Sequence, residues 1–369
     1  MNKLIPWAKP CLFGNEAARI QEALESTWIS GGPFVDQFEK ELGAWIKAPY
    51  VSATSNGTTA IHLAYLALGI GIGDEVIIPG FGYLAAANIA LLCGAKPVFA
   101  EVDPATWCLT AEAVARCITP KTKAVVAIHT YGNMCDLDAL ADLLAPRKIA
   151  LIEDAAEALG STYKGRAAGA SGAIGTYSFH ATKTITTGEG GLIATHDPEL
   201  HRKIQLYRSH GMSRDVRFYW HEVPGHNFRL TNFQAAMGCA QFEHFPEIKD
   251  ARLVLDSQYR QLLLQEAGLE MQHFEASVVP VLWAVAIRLD PDFFSQGRDE
   301  VLLQMRQSGI ECRPGFYAAS QQPLYQSGAL PICEDLASKV ISLPCYVGLK
   351  AVEVAYICET LISLRGTFS

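Results

Sequence analysis

Between Glu75 and Asp154 the chain alternates short, continuous apolar runs with segments of helical spacing. Glu75–Pro79, Lys96–Ala100, Ala124–His129 and Ile149–Asp154 read as strands, and Leu84–Leu92, Thr110–Cys117 and Leu137–Leu144 as the helices between them. A strand that is apolar at successive positions must be covered on both faces, and helices between successive strands supply that cover. The pattern predicts an α/β fold with a mostly parallel central sheet, in which ligands bind beyond the carboxyl ends of the strands.

The flanking segments add to this frame. Asn15–Ser26 has helical spacing, Gly31-Gly32-Pro33 interrupts it, and Phe34–Trp45 resumes it with Phe38, Leu42 and Trp45 on one side. Trp28 and Ser30 therefore sit on a loop, where Trp28 either covers the core or faces a site. Towards the C-terminus, Ile248–Leu264 and Arg298–Ser308 read as helices, Val281–Leu289 as a strand and Cys312–Tyr317 as a strand or loop edge. These form a smaller α+β unit.

Composition narrows the class. Half of the 369 residues are hydrophobic and the formal net charge is −8, which gives a sizeable core and no electrostatic footprint for nucleic acid. The N-terminus lacks an apolar signal segment, and the longest apolar run, Val278–Ile287, contains a proline and is too short to span a bilayer. A soluble cytoplasmic protein with no membrane partner is expected. The ten cysteines form no Cys-x-x-Cys pair or Cys/His cluster, so neither a metal site nor disulfides are expected.

Three places carry candidate chemistry. In Ser55-Asn-Gly-Thr58 a turn opens a helix, so free N–H groups and the positive end of the helix dipole meet near Gly57 and Thr58. Either a phosphate cradle or ordinary N-capping explains those residues. Tyr83, His129, Asp154 and Glu157 fall at or beyond strand ends; Asp154 is either the buried partner of a protonated ring nitrogen or the cap of the segment that follows. Finally, Lys183 stands alone between a β-branched, aromatic strand starting at Gly175 and a Thr- and Gly-rich stretch ending at Gly191. In apolar surroundings its amine is pushed toward the neutral, nucleophilic form that makes Schiff bases with carbonyls; otherwise it is a solvated loop lysine. A cradle, a ring, a strand-end aspartate and such a lysine are the contacts pyridoxal phosphate requires.

Ser26-Thr-Trp-Ile-Ser30, Ser55-Asn-Gly-Thr-Thr-Ala60, Gly73-Asp-Glu-Val-Ile77, Cys135-Asp-Leu-Asp138, Glu153-Asp-Ala-Ala-Glu157, Ser178 to Gly191, Tyr219-Trp-His-Glu222 and Asn227 to Asn232 together carry a resemblance. The chain resembles the DegT-type sugar-nucleotide aminotransferases, and among them the GDP-perosamine synthase-like enzymes that aminate carbon 4 of a 4-keto-6-deoxy sugar nucleotide. The resemblance implies an aspartate-aminotransferase-like fold, with a large domain over 14–244 and a small one from 1–13 and 245–369. It implies Lys183 as the Schiff-base lysine, Asp154 as partner of the pyridinium nitrogen and Tyr83 as the stacking ring. Gly57, Thr58 and Ser178 would hold the phosphate, joined by Asn227 from the other subunit of a homodimer. Glu157 would lie near the cofactor hydroxyl and the incoming sugar, and Trp28, Ser30 and His180 would meet substrate; Arg313 either meets a phosphate or nucleotide of the substrate or is a surface residue.

L-glutamate, becoming 2-oxoglutarate, would be the donor and GDP-4-keto-6-deoxy-mannose the favoured acceptor, with dTDP or UDP sugars as alternatives, in surface-polysaccharide (O-antigen) or glycoconjugate biosynthesis. Four places depart from the family's usual residues: Ala181 stands where it has glycine, Gly82 where it has threonine, Asn133 where it has His or Gln, and Phe316–Ser320 in place of a Pro- and His-containing stretch. Two other readings remain open at this point. A dehydratase of the same fold carries histidine at the lysine position, and a non-catalytic regulatory protein needs none of these groups.

Overall fold

The computed structural model describes residues 4–213, 217, 219–325 and 327–366. The ends of the expected small domain, 1–3 and 367–369, lie outside the described residues. The main sheet has seven strands in the spatial order Tyr50–Thr54, Gly191–Thr195, Ile174–Ser178, Ala150–Asp154, Thr122–Ile128, Glu75–Pro79 and Lys96–Ala100. The last five are mutually parallel; Gly191–Thr195 runs antiparallel to both of its neighbours. The expected α/β fold with a mostly parallel sheet is the observed one.

Two cores explain the continuous apolar strands. Ile77, Val125, Ala127, Tyr177 and Leu192 face one of them with Phe38, Leu42 and Leu140, whereas Val76, Ile78, Val126, Ile152, Ile174 and Ile193 face the other with Leu63, Tyr65 and Ile89. Successive residues of a strand point to opposite faces, so both must be apolar when both faces are covered.

Strand Gly191–Thr195 has no counterpart among the predicted elements, and it organises the site. Because it returns antiparallel along Ile174–Ser178, the connection between them, with Lys183 in it, is held at the carboxyl edge of the sheet. Thr54 pairs with Gly191 at the same edge, and a Cβ on Gly191 would lie 2.5 Å from the Asn56 carbonyl carbon. Glycine there lets the Asn56 turn close over the strand. The helix Gly57–Leu68 then starts at the edge where the strand Ala150–Asp154 ends.

Two expected boundaries are corrected. Strand Thr122–Ile128 stops before His129, whose N–H turns to donate to the Asp154 carbonyl (3.1 Å). The strand expected from Val281 begins only at Val285. The Val281 N–H goes instead to Ser161 Oγ (2.8 Å) and the Trp283 N–H to the Tyr131 carbonyl (3.1 Å), so this stretch is tied to the large sheet's loops and has left the ladder. Strand Val285–Leu289 pairs within a four-stranded antiparallel sheet that also contains Leu269–Met271, Val340–Leu343 and Arg313–Pro314. That sheet packs on a third core, with Tyr259 and Leu263 of the helix Phe245–Leu263. Among the described residues no helix is long and apolar enough to cross a membrane, and no cluster of His, Cys, Asp and Glu has the arrangement of a metal site.

Candidate active site

A cavity of about 890 Å³ opens at the carboxyl edge of the sheet, lined by Gly57, Thr58, Tyr83, Asp154, Ser178 and Lys183, and on its far wall by Trp7, Tyr131, Trp283 and Phe316. His180 and Arg313 also line it. The elements converge because three strand ends, at Thr54, Asp154 and Ser178, meet here.

On one side lies the start of the helix Gly57–Leu68. Asn56 Oδ1 accepts the Thr59 N–H (2.9 Å) and Thr59 Oγ1 accepts the Asn56 N–H (3.2 Å), a reciprocal cap. Geometry denies the Gly57 and Thr58 N–H groups an acceptor within the helix, so they and the helix dipole are offered to an anion. A Cβ on Gly57 would stand 2.9 Å from Ser178 Cβ; glycine is what allows the turn to seat against Ser178. Capping is thus carried out by Asn56 and Thr59, and it uses neither the Gly57 nor the Thr58 N–H.

Deeper in, Asp154 is 4% exposed and Glu157 3%. Among the described residues Asp154 Oδ1 accepts only the Ala156 N–H (3.1 Å), and burial raises its proton affinity while the Lys183 charge opposes. Glu157 Oε2 accepts the Tyr131 N–H (2.8 Å), whereas among the described residues buried Oε1 has no hydrogen-bond partner. Burial pushes the Glu157 carboxyl up to about 7, against the pull of Lys183 and the Tyr131 N–H. Behind them, His129 Nε2 and Glu153 Oε2 form a buried pair at 2.9 Å. Burial alone would lower the His129 pKa, but hydrogen bonding to Cys135 and Glu153 brings it up to about 10. His129 is therefore part of the support beneath the cavity and does not face it.

Lys183 keeps some accessible surface where it opens into the cavity, yet it is crowded enough by protein that burial dominates and lowers its proton affinity. The Arg252 guanidinium pushes the same way; Glu157 and Asp154 push back. Its Nζ lies 3.8 Å from the centroid of the Trp283 ring. A solvated loop lysine is thereby excluded.

Other expected site residues are placed differently. Tyr83 stands 61% exposed at the cavity mouth, edge-on to Phe316 at 6.3 Å. His180 Nδ1 meets Thr182 Oγ1 at 3.1 Å on the rim, and the Arg313 guanidinium lies 5.2 Å from the Trp7 ring centroid. Trp28, 62% exposed, and Ser30 are outside this cavity; Ser30 lines a separate cleft of about 850 Å³ beside His201 and Arg208. Asn227 is also outside it in its own chain, its Oδ1 accepting from Arg229 Nε at 3.0 Å. Trp7, Tyr131, Trp283 and Ser342 had no signal in the sequence, since each reaches the cavity from a remote segment by tertiary packing.

A partly buried amine lies within electrostatic reach of two buried carboxylates, beside a helix start whose reciprocal cap uses neither the Gly57 nor the Thr58 N–H; this donor set fits pyridoxal phosphate. Fold and site define a pyridoxal-phosphate-dependent sugar-nucleotide aminotransferase. The chain belongs to the DegT/DnrJ/EryC1/StrS aminotransferase family, whose model matches residues 10–362. It is 39% identical to a GDP-perosamine synthase of Caulobacter vibrioides over 96% of each chain, and 38% identical to that of Escherichia coli O157:H7 over 97% of this chain and 98% of the other. Among solved structures it is similar to the aminotransferase TlmJ from Streptoalloteichus hindustanus (31% identical, TM-score 0.92, 98% of each chain). It is also similar to DesI in the presence of its TDP-sugar product (29% identical, TM-score 0.91, 98% of this chain and 93% of that one).

Proposed function

We propose that the chain transfers an amino group from L-glutamate to carbon 4 of a nucleotide-linked 4-keto-6-deoxy sugar, with GDP-4-keto-6-deoxy-mannose as the favoured acceptor. The observation that carries this reading is 38–39% identity to GDP-perosamine synthases over 96–98% of both chains, with Lys183 and Asp154 lining one cavity. Bound pyridoxal phosphate supplies an electron sink and carries the amino group between the two substrates.

The residues of the chain would do the rest. Gly57 and Thr58 N–H groups, with Ser178, hold a phosphate, and Tyr83 covers a ring at the mouth. Asp154 keeps a ring nitrogen protonated, its burial strengthening that contact. Lys183 Nζ, its proton affinity lowered by burial, would act as the base that removes the donor's α-proton and as the acid that returns it to the cofactor carbon, and would run the same shift in reverse with the sugar substrate. Glu157 would lie near the cofactor hydroxyl and the incoming sugar and accept a hydrogen bond from one of them. Arg313 and His180, on the rim, meet the nucleotide or sugar, and Asn227 works from a second copy of the chain.

The test is absorbance of the purified protein with pyridoxal phosphate before and after L-glutamate, followed by GDP-, dTDP- and UDP-linked 4-keto-6-deoxy sugars. A visible band that collapses with glutamate and is restored by the GDP sugar is expected. A band restored only by a dTDP or UDP sugar would overturn the favoured acceptor, and a band indifferent to glutamate would overturn the donor.

A further inference from the structure

Lys183 is a partly buried amine within electrostatic reach of two buried carboxylates, yet among the described residues it makes no ion pair within 4 Å with either. In a low-dielectric cavity such a pair would be strong, so something must hold the amine away. The group found at Nζ is the face of Trp283, 3.8 Å from the ring centroid. An aromatic face attracts an ammonium, but less than a desolvated carboxylate does.

Trp283 is itself fixed from several sides. Its Nε1–H donates to the Thr182 carbonyl (3.0 Å), next to the lysine, and its backbone N–H to the Tyr131 carbonyl (3.1 Å). Trp7 packs edge-on against the indole at 5.2 Å, and Tyr131 lies nearly parallel to it at 6.2 Å. Arg252, on the helix Phe245–Leu263, is 4% exposed; among the described residues its hydrogen-bond partners are carbonyls and a thiol, with no carboxylate. Nη1 donates to the Leu282 carbonyl (2.7 Å) and reaches the Trp283 carbonyl (3.4 Å), while Nη2 reaches the Lys183 carbonyl (3.5 Å). One guanidinium thus ties the backbone of the lysine to the backbone of the tryptophan that covers it.

We propose that Trp283 is a positioning residue for Lys183: the indole holds the amine out of ion-pair contact with Asp154 and Glu157, and Arg252 locks the two segments in that register. The inference rests on Lys183 as the residue that reacts with pyridoxal phosphate. A lysine locked to a carboxylate would stay protonated and slow to react; on the indole it is close to the carboxylates without being captured by them. The charged groups acting on it are Asp154, Glu157 and Arg252.

The experiment follows covalent attachment of pyridoxal phosphate to the full-length protein between pH 6 and 10, trapped by borohydride and counted by mass. Trp283→Leu frees the amine to pair with Glu157 or Asp154, and the attachment midpoint should move up by about one pH unit, a tenfold change. Trp283→Phe keeps an aromatic face and should recover most of that shift. Combining Trp283→Leu with Glu157→Gln removes one capturing carboxylate and should shrink the shift again. An unchanged or lower midpoint in Trp283→Leu, with a far-ultraviolet spectrum matching the parent, overturns the proposal, as does a double variant shifted as far as the single. Should Trp283→Leu fail to fold, Arg252→Lys, which cannot span both carbonyls, must move the midpoint in the same direction for the proposal to stand. Parent protein that attaches no cofactor would instead overturn the role of Lys183, a separate failure.

Discussion

The Tyr131 N–H donates to Glu157 Oε2 at 2.8 Å, and Tyr131 holds φ 60° in doing so, with Gly132 at φ 105° behind it. A tyrosine in the left-handed region costs on the order of 1–3 kcal/mol, and Gly132 has no alternative because a Cβ would lie 2.5 Å from the Val281 carbonyl oxygen. The strained turn places a donor against one oxygen of Glu157, and among the described residues the other, also buried, has no hydrogen-bond partner.

Glu157 makes the stability of the cofactor-free protein pH-dependent. Its folded pKa of about 7 lies above the ordinary 4.5, so its contribution is complete below pH 4.5 and is lost as pH rises through 7. Glu157→Gln, which cannot ionise, should escape a loss of up to about 3 kcal/mol between those limits. Urea unfolding at pH 5 and pH 8 checks this; parallel losses in parent and variant would show that the carboxyl does not titrate there.

Lys183→Ala should fold normally and lose turnover by at least about a thousandfold, because one amine serves as both attachment point and proton carrier. Matching circular dichroism with near-normal turnover would remove Lys183 from the mechanism.

Asp154→Asn keeps size and the contact with the Ala156 N–H but removes the anion. Turnover should fall on the order of a hundredfold or more, with a changed cofactor absorbance spectrum, since a ring nitrogen would lose its charged partner. Full activity would reduce Asp154 to a capping residue.

Gly57→Ala introduces a methyl 2.9 Å from Ser178 Cβ, so the turn must shift away from the strand end. Pyridoxal phosphate should bind about tenfold more weakly, equivalent to about 1.4 kcal/mol, with the unfolding midpoint lowered as well. Equilibrium titration of the cofactor decides; unchanged affinity would place the phosphate elsewhere.

Asn227 lies outside the cavity of its own chain and is exposed. If it completes the site of a second copy, mixing inactive Asn227→Ala and Lys183→Ala proteins should restore about a quarter of parent activity, because half the dimers then hold one intact site. No recovery after verified subunit exchange would confine each site to one chain.

Much of this arrangement is legible in the residues alone. Continuous apolar strands, helical spacing between them and the turn residues at Asn56, Gly69 and Pro33 are local or periodic signals, and they specify the parallel sheet and the helix starts. Lys183, Asp154 and Gly57 could be singled out because each sits beside a strand end, where the fold class itself places ligands. What no local signal carries is what surrounds them. The antiparallel return through Gly191–Thr195 brings Lys183 to the shared edge, and Trp283 reaches its amine only because residues 281–283 leave the ladder for Ser161 and Tyr131. The raised carboxyl of Glu157 and the unpaired amine of Lys183 likewise come from burial among distant segments. Backbone hydrogen bonding and side-chain periodicity act over a few residues and are written in order along the chain, whereas desolvation and aromatic contact depend on which remote residues meet, and packing decided those.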